Sequence, residues 1–260
     1  MITFSVITIT YNAADVLQPT LDSVLMQDFP TVEHIIVDGA STDNTVTISE
    51  AYKEMSDSAE NEHIVRIYSE PDKGLYDAMN KGLVRAKGDY VVFLNAGDRF
   101  PTADTLEKVA LAAEVGDGEE RPAVVYGNTD IIDEKGNFQY HRRLQPPEKL
   151  TWRSFRDGML VCHQAFYARL DIARKTPFDT HYRYSADVDW CIKIMREGER
   201  KGLLLRNVHA VIANYMEEGQ TTLHHRASLR ERFQVMCKHY GVFPALAKHI
   251  WFVVRKLIKQ

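Results

Sequence analysis

The sequence has only three cysteines, Cys162, Cys191 and Cys237, far apart and forming no CxxC pair. That excludes a disulfide framework and supplies no thiolate metal set, so idle thiols in a reducing compartment are expected. No apolar run approaches the roughly 18 residues needed to cross a bilayer. The opening MITFSVITIT lacks a positive stretch and a small-residue cleavage site, so no secretory leader is expected. Charge of one sign is missing too. The 32 basic and 36 acidic side chains leave a net −4, and no basic field points to nucleic acid. There is no internal repeat, no GxGxxG after the first apolar run and no GxxxxGK[ST] phosphate loop, which argues against the usual dinucleotide and P-loop sites. What remains, 45% hydrophobic and 26% charged over 260 residues, is the composition of a globular cytoplasmic enzyme or binding protein.

What is present over residues 1–127 is an alternation of short apolar runs and helical patterns. Phe4–Thr10, His34–Val37, Ile64–Tyr68, Tyr90–Leu94 and Ala123–Tyr126 read as strands. Between them, Val16–Met26, Asn44–Glu54, Leu75–Ala86 and Thr105–Ala113 have helical apolar spacing. Pro19 suits only the first turn of its helix. This order predicts an α/β fold, a mostly parallel central sheet flanked by helices. From 128 onward the pattern changes. Ile131–Tyr140 reads as a hairpin around Glu134-Lys135-Gly136-Asn137, His163–Ala168 and Ala210–Tyr215 as strands, and Val188–Arg196 as a helix. The acidic stretches Ser56–Glu62 and Glu114–Arg121 read as solvated loops.

Ligands of parallel sheets sit outside the carboxyl ends of the strands. The first strand runs out into Thr10-Tyr11-Asn12, the second into Asp38-Gly39-Ala40-Ser41, the fourth into Asn95-Ala96-Gly97-Asp98. An aromatic face for a base, hydroxyls, and carboxylates able to accept from a ring N–H would converge there, as a nucleoside pocket requires. The same residue types also make turns and helix caps. For Asn44 and Thr45, capping alone is sufficient.

In this order, VITITYN, IIVDGASTDNT, EPDKGLYDAMNKGLVRAKGDYVVFLNAGD and YRYSADVDWCIKI resemble a family 2 glycosyltransferase with a GT-A (nucleotide-diphospho-sugar transferase) fold, over residues 3–222. The resemblance implies a domain at 1–222, with a nucleotide-sugar half (1–127), an acceptor half (128–222) and a helical extension at 223–260. It implies base contacts from Thr10, Tyr11 and Asn12, with Asp38 accepting the ring N–H beside Ser41. Gly74 would admit a phosphate at a helix start, and Asp77 and Asn80, on one helix face, would reach toward the donor or, for Asn80, the sheet edge. The family's Asp-Asp-Gly-Ser is here Asp38-Gly39-Ala40-Ser41, one carboxylate short. Its Asp-x-Asp-Asp metal motif is Asn95-Ala96-Gly97-Asp98, leaving Asp98 as the expected ligand for Mg2+ or Mn2+, with the Asn95 amide oxygen either assisting or bonding ribose. Asp187 matches the base that deprotonates the acceptor in an inverting displacement, and Asp189 would point away toward a cation such as Lys193. His163 and Gln164 fall among acceptor-side residues. Thr221 and Thr222, near Gly219, Gln220, His224 and His225, fall in a loop that closes over the leaving diphosphate.

The function implied is transfer of a sugar from a nucleotide-sugar donor, expected to be UDP-linked, onto a glycan or lipid-linked acceptor in cell-surface polysaccharide biosynthesis. The thinned metal motif keeps a non-catalytic nucleotide-sugar-binding protein as the alternative. A nucleotidyltransferase ranks lower, because no triphosphate loop follows the first strand. The tail VFPALAKHIWFVVRKLIKQ (242–260) reads as a basic amphipathic helix bordered by Trp251. It predicts peripheral contact with the inner face of an anionic membrane, against the plainer reading of a helix packed on its own domain.

Overall fold

The computed structural model describes residues 1–59, 61–114, 119–217 and 225–258. One sheet contains β1 (Phe4–Thr10), β2 (Val32–Asp38), β3 (Ile64–Ser69), β4 (Tyr90–Phe93), β5 (Val124–Ile132), β6 (Phe138–His141), β7 (Phe166–Arg169) and β8 (Leu205–Met216). The helices are α1 (Ala14–Leu25), α2 (Thr45–Ser58), α3 (Leu75–Arg85), α4 (Thr105–Ala113), the one-turn α5 (Leu170–Ala173), α6 (Ala186–Arg200), α7 (His225–Tyr240) and α8 (Val242–Ile258). The strand order is β3-β2-β1-β4-β7-β5-β6, with β8 also on β5.

All seven residues of β1 and of β2 are buried. The polar–apolar alternation of the first strand is therefore not an inside–outside pattern, because helices cover both faces of this parallel half. Its polar side chains are satisfied internally: Ser5 Oγ donates to Glu33 Oε2 (2.7 Å) and Thr8 Oγ1 to the Leu94 carbonyl (2.7 Å). On one face, Leu17 and Leu21 of α1 and Tyr52 of α2 pack on Ile36 and Val65. On the other, Tyr76, Met79 and Leu83 of α3 join the main core with Ile35 and Val37. Burying one such side chain contributes about 1.5–3 kcal/mol. The parallel register Thr10↔Asp38 brings the ends of β1 and β2 together at the carboxyl edge.

Several elements depart from expectation. The antiparallel β7 lies between β4 and β5, so the fourth and fifth strands are not parallel neighbours. α1 begins at Ala14, which puts Pro19 in its second turn; the missing N–H leaves one helical rung unmade, opposite the exposed Asp15. α2 continues through Ser58 and buries Ser56. His163–Ala165 is a 3-10 turn, and the strand starts only at Phe166. The hairpin holds: Gly136 N–H donates to the Asp133 carbonyl (2.9 Å) and Asn137 N–H to Asp133 Oδ1 (2.8 Å). The boundary at 222 lies outside the described residues. α7 beyond it is built into the fold, with Val235 and Met236 buried and the Tyr240 ring stacked on Trp152 at 5.5 Å.

Candidate active site

The ends of β1 and β2 build one wall. Asp38 Oδ1 accepts from Thr10 Oγ1 (3.1 Å) and Ser41 Oγ, and Oδ2 accepts from Ser41 N–H (2.9 Å) and Ser69 Oγ (2.7 Å). Two donors on each oxygen fill a carboxylate's capacity. Burial raises the Asp38 pKa, but these bonds outweigh it and hold the carboxyl below its ordinary value. The expectation that Asp38 accepts a ring N–H is thereby corrected: its oxygens are taken, and it acts as a strut. Asn12, at φ +47, is also tied down. Its N–H donates to Ser41 Oγ (2.8 Å), and its Oδ1 accepts from Thr42 N–H (2.9 Å). Tyr11, between these fixed neighbours, is 66% exposed.

β3 leads through Asp72 and Gly74 into α3. Gly74 has φ +114, and a Cβ there would meet nothing within 4 Å, so the helix start is open. Asp77 Oδ2 accepts from Lys73 N–H (3.0 Å) with Lys81 at 3.7 Å, which closes the loop onto the first turn. Asn80 uses both ends of its amide on the Phe178 backbone, donating from Nδ2 (3.0 Å) and accepting at Oδ1 (2.8 Å). It clamps the chain ahead of α6, which corrects its reading as a donor contact.

β4 runs into Asn95-Ala96-Gly97-Asp98. Gly97 has φ +99, and a Cβ there would collide with the Met216 side chain of β8. Asp98 is 4% exposed; Oδ2 accepts from Gln164 Nε2 (2.8 Å) and Oδ1 from Met216 N–H (3.2 Å). Burial raises its carboxyl to about 6 despite these bonds. Ala96 packs against the small cluster around Leu17 and Ile36. Asn95 Nδ2 lies 3.3 Å from His163 Nε2, while its Oδ1 is buried with no hydrogen-bond partner.

Opposite this turn, Glu231 of α7 accepts from the N–H groups of Arg183 (2.9 Å), Tyr184 (2.7 Å) and Ser185 (3.1 Å), fixing the entry to α6. Asp187 sits in the first turn of α6. Its Oδ1 accepts from Val188 N–H (2.9 Å) and Tyr76 OH (3.1 Å), and its Oδ2 lies 3.3 Å from His163 Nδ1. Burial pushes the carboxyl up, but the hydrogen bond and charge of His163, the Arg232 guanidinium and Val188 N–H bring it below its ordinary value. His163 thus joins Asp187 to Asn95. Asp189 faces away, held by Lys193 (2.5 Å), Lys238 (3.0 Å) and His239 (2.7 Å).

A match to the glycosyl transferase family 2 profile spans residues 5–175. The chain belongs to glycosyl transferase family 2. A Mycobacterium bovis (strain BCG / Pasteur 1173P2) protein, named PGL/p-HBAD biosynthesis glycosyltransferase, is 36% identical over 220 residues, 83% of this chain and 77% of that one. The fold of this glycosyltransferase is GT-A. S. aureus TarS, solved in complex with UDP-GlcNAc, matches with a TM-score of 0.69 at 20% identity, over 90% of this chain and 64% of that chain. The mannosyltransferase PcManGT of Pyrobaculum calidifontis, solved with GDP-Man and Mn2+, matches at 0.63 and 19% identity, over 95% and 74%.

In this family 2 glycosyltransferase, Asp98 and the Asn95 amide oxygen are the residues that would hold a divalent cation. Mg2+ in nucleotide sites is held by one or two carboxylates besides the phosphates. Asp98, the expected ligand, has one donor on each oxygen, which leaves each oxygen one further acceptor position. Met216 fills the space a side chain at 97 would take. The orphaned Asn95 Oδ1 offers one neutral oxygen. Among the described residues, no three His, Cys, Asp or Glu side chains gather as a metal set. Asp98 also joins the β4 turn to Gln164 and β8, and a cation there would share it with those two donors.

Sequence reasoning missed Tyr76, Glu231 and Arg232 as neighbours of Asp187 and its helix start. Tyr76 lies 111 residues before Asp187, and the only local signal was an aromatic on the apolar face of α3. His163 and Gln164 do reach the site, although each touches a different acid. Thr221 and Thr222 lie outside the described residues.

Proposed function

We propose that this glycosyltransferase moves a sugar from a nucleotide-diphospho-sugar to a hydroxyl of a glycan or lipid-linked acceptor with inversion, Asp187 acting as the general base. The observation that carries the reading is the line Asp187–His163–Asn95, which links an ionised carboxylate at the start of α6 to the turn after β4. The acceptor oxygen bonds to the anomeric carbon as the bond from that carbon to the diphosphate oxygen breaks. The acceptor proton passes to Asp187, and the electron pair leaves with the nucleoside diphosphate. A single displacement from the opposite face inverts the centre. Tyr76 and His163 orient the carboxylate, and its lowered pKa keeps it ionised at neutral pH. The open start of α3 at Gly74 suits a phosphate. We assign a UDP-linked donor, in keeping with the UDP-GlcNAc complex of TarS, and a role in cell-surface polysaccharide biosynthesis, in keeping with the biosynthetic name of the mycobacterial relative.

The test is Asp187→Asn. Transfer should fall roughly 10²–10⁴-fold while donor affinity is retained, and NMR of the wild-type product should show the inverted anomer. Wild-type turnover by the variant would remove the base assignment, and a retained anomer would remove the single displacement.

We also infer peripheral membrane contact through 242–260. No helix of the described residues is long and apolar enough to cross a membrane. α8 nevertheless exposes Val242, Phe243, Leu246, Ile250 and Trp251.

A further inference from the structure

The family's second carboxylate in the loop after β2 is replaced here by Gly39, and another acid enters the space it leaves. A Cβ built on Gly39 would lie 2.5 Å from Asp72 Oδ2 and 3.2 Å from Cδ2 of the Tyr11 ring. The loops after β1, β2 and β3 therefore meet at one point, bounded by an exposed aromatic face and a carboxylate oxygen. The two oxygens of Asp72 differ. Oδ1 accepts from Gly74 N–H at 2.7 Å, which fixes the side chain. Oδ2 has no hydrogen-bond or ion-pair partner among the described residues. The neighbouring acids are committed: Asp38 has four donors, and Asp43 accepts from Ala14 N–H (3.1 Å) and Thr45 N–H (3.0 Å).

We infer that Asp72 is the residue that selects the donor's base, accepting the ring N–H of a uracil- or guanine-type base stacked on Tyr11. This rests on the nucleotide-sugar reading of the site. Uracil and guanine carry a hydrogen on the ring nitrogen beside a carbonyl, and a carboxylate only accepts. Cytosine and adenine carry a lone pair at the corresponding nitrogen and would face Oδ2 with like charge. The unshared carboxylate oxygen thus admits one pair of bases and rejects the other, because the rejected bases lose a charge-assisted hydrogen bond and bring a lone pair against the carboxylate.

Asp72→Asn tests this directly. Gly74 N–H needs an oxygen acceptor, so the amide oxygen takes the Oδ1 place and the NH2 takes that of Oδ2. The variant then donates where the wild type accepts. Titration calorimetry with UDP, GDP, CDP and ADP supplies the readout, with a melting curve for each protein. Wild type should bind UDP or GDP at least roughly tenfold more tightly than CDP and ADP, and the UDP and GDP arms distinguish the two accepted bases. Asp72→Asn should lose that preference and gain affinity for CDP. Asp72→Ala should weaken UDP or GDP and leave CDP nearly unchanged. An unaltered preference in Asp72→Asn, with wild-type melting, overturns the role of Asp72 and leaves the donor site standing. A wild-type protein that binds none of the four nucleotides overturns the donor reading itself.

Discussion

Asp98 shows how one carboxylate can serve the fold in a position where chemistry was expected. Its two acceptor oxygens hold Gln164 and the backbone of β8, and its burial leaves the carboxyl at about 6. Asp98→Ala would strand both donors away from water, at about 1–3 kcal/mol for each. The melting temperature should fall by roughly 5 °C or more. Asp98→Asn keeps the shape, and Gln164 can turn its amide to match. The sign of the pH effect follows from the raised pKa. The buried group holds its proton longer than the unfolded chain does, so its stabilising contribution is complete below pH 3.8 and disappears as pH rises through about 6. Denaturant titrations between pH 4 and 7 should therefore show Asp98→Asn gaining on wild type as pH rises. A ligand role would show separately: Asp98→Asn would lose turnover and any response to Mn2+, and a variant that keeps both would remove Asp98 as a ligand.

At the scale of elements, α6 is held in place by α7. Glu231 gathers three N–H groups at the entry to α6, and Asp189 gathers Lys193, Lys238 and His239 on its far side. Asp187 rides on the helix fixed between them. A displacement of about 1 Å in a reacting group can cost on the order of 10²-fold in rate. Glu231→Ala should accordingly lower kcat about tenfold or more while donor affinity stays within about twofold, and Glu231→Gln, which keeps an acceptor oxygen, should recover much of the loss. If kcat in Glu231→Ala equals wild type, the brace has no part in positioning the base. Of this brace, only the Asp189–Lys193 pair was legible in the sequence; Glu231 lies 46–48 residues from the N–H groups it holds. The first half of the sheet was legible because strand and helix alternate locally there and each period is readable on its own. The four-residue β7, inserted between β4 and β5, carries too short a pattern and pairs only with distant chain. At the strand ends, the positions of Asp38 and Asp98 were readable and the donors from their own protein that they hold were not. An acid that ends an apolar strand looks the same in sequence whether it meets a ligand or donors from its own protein.

For the whole molecule, the distribution of charge and apolar surface matters more than the net −4. Residues 242–260 contain Lys248, Arg255, Lys256 and Lys259 and no acid. α8 begins as part of the fold, with Ala245 fully buried, the His249 ring edge-on to Phe233 at 4.9 Å, and Lys248 paired with Asp157. Its other side is bare: Phe243 is 87% exposed and Trp251 54%. A helix that is anchored on one side, apolar on the other and basic along its length suits an anionic lipid surface. There the aromatic side chains enter the interface, and each nearby Lys or Arg adds about 1 kcal/mol at low salt. Phe243→Glu with Trp251→Glu should leave melting and transfer to a water-soluble acceptor nearly unchanged, because neither side chain is buried. In flotation with vesicles of mixed neutral and anionic lipid, wild type should rise with the vesicles, less so at high salt and little with neutral lipid alone. The double variant should remain at the bottom of the gradient under all three conditions. Equal flotation of the two proteins would mean that these side chains do not dock the enzyme, and α8 would then be only a strap across its own domain.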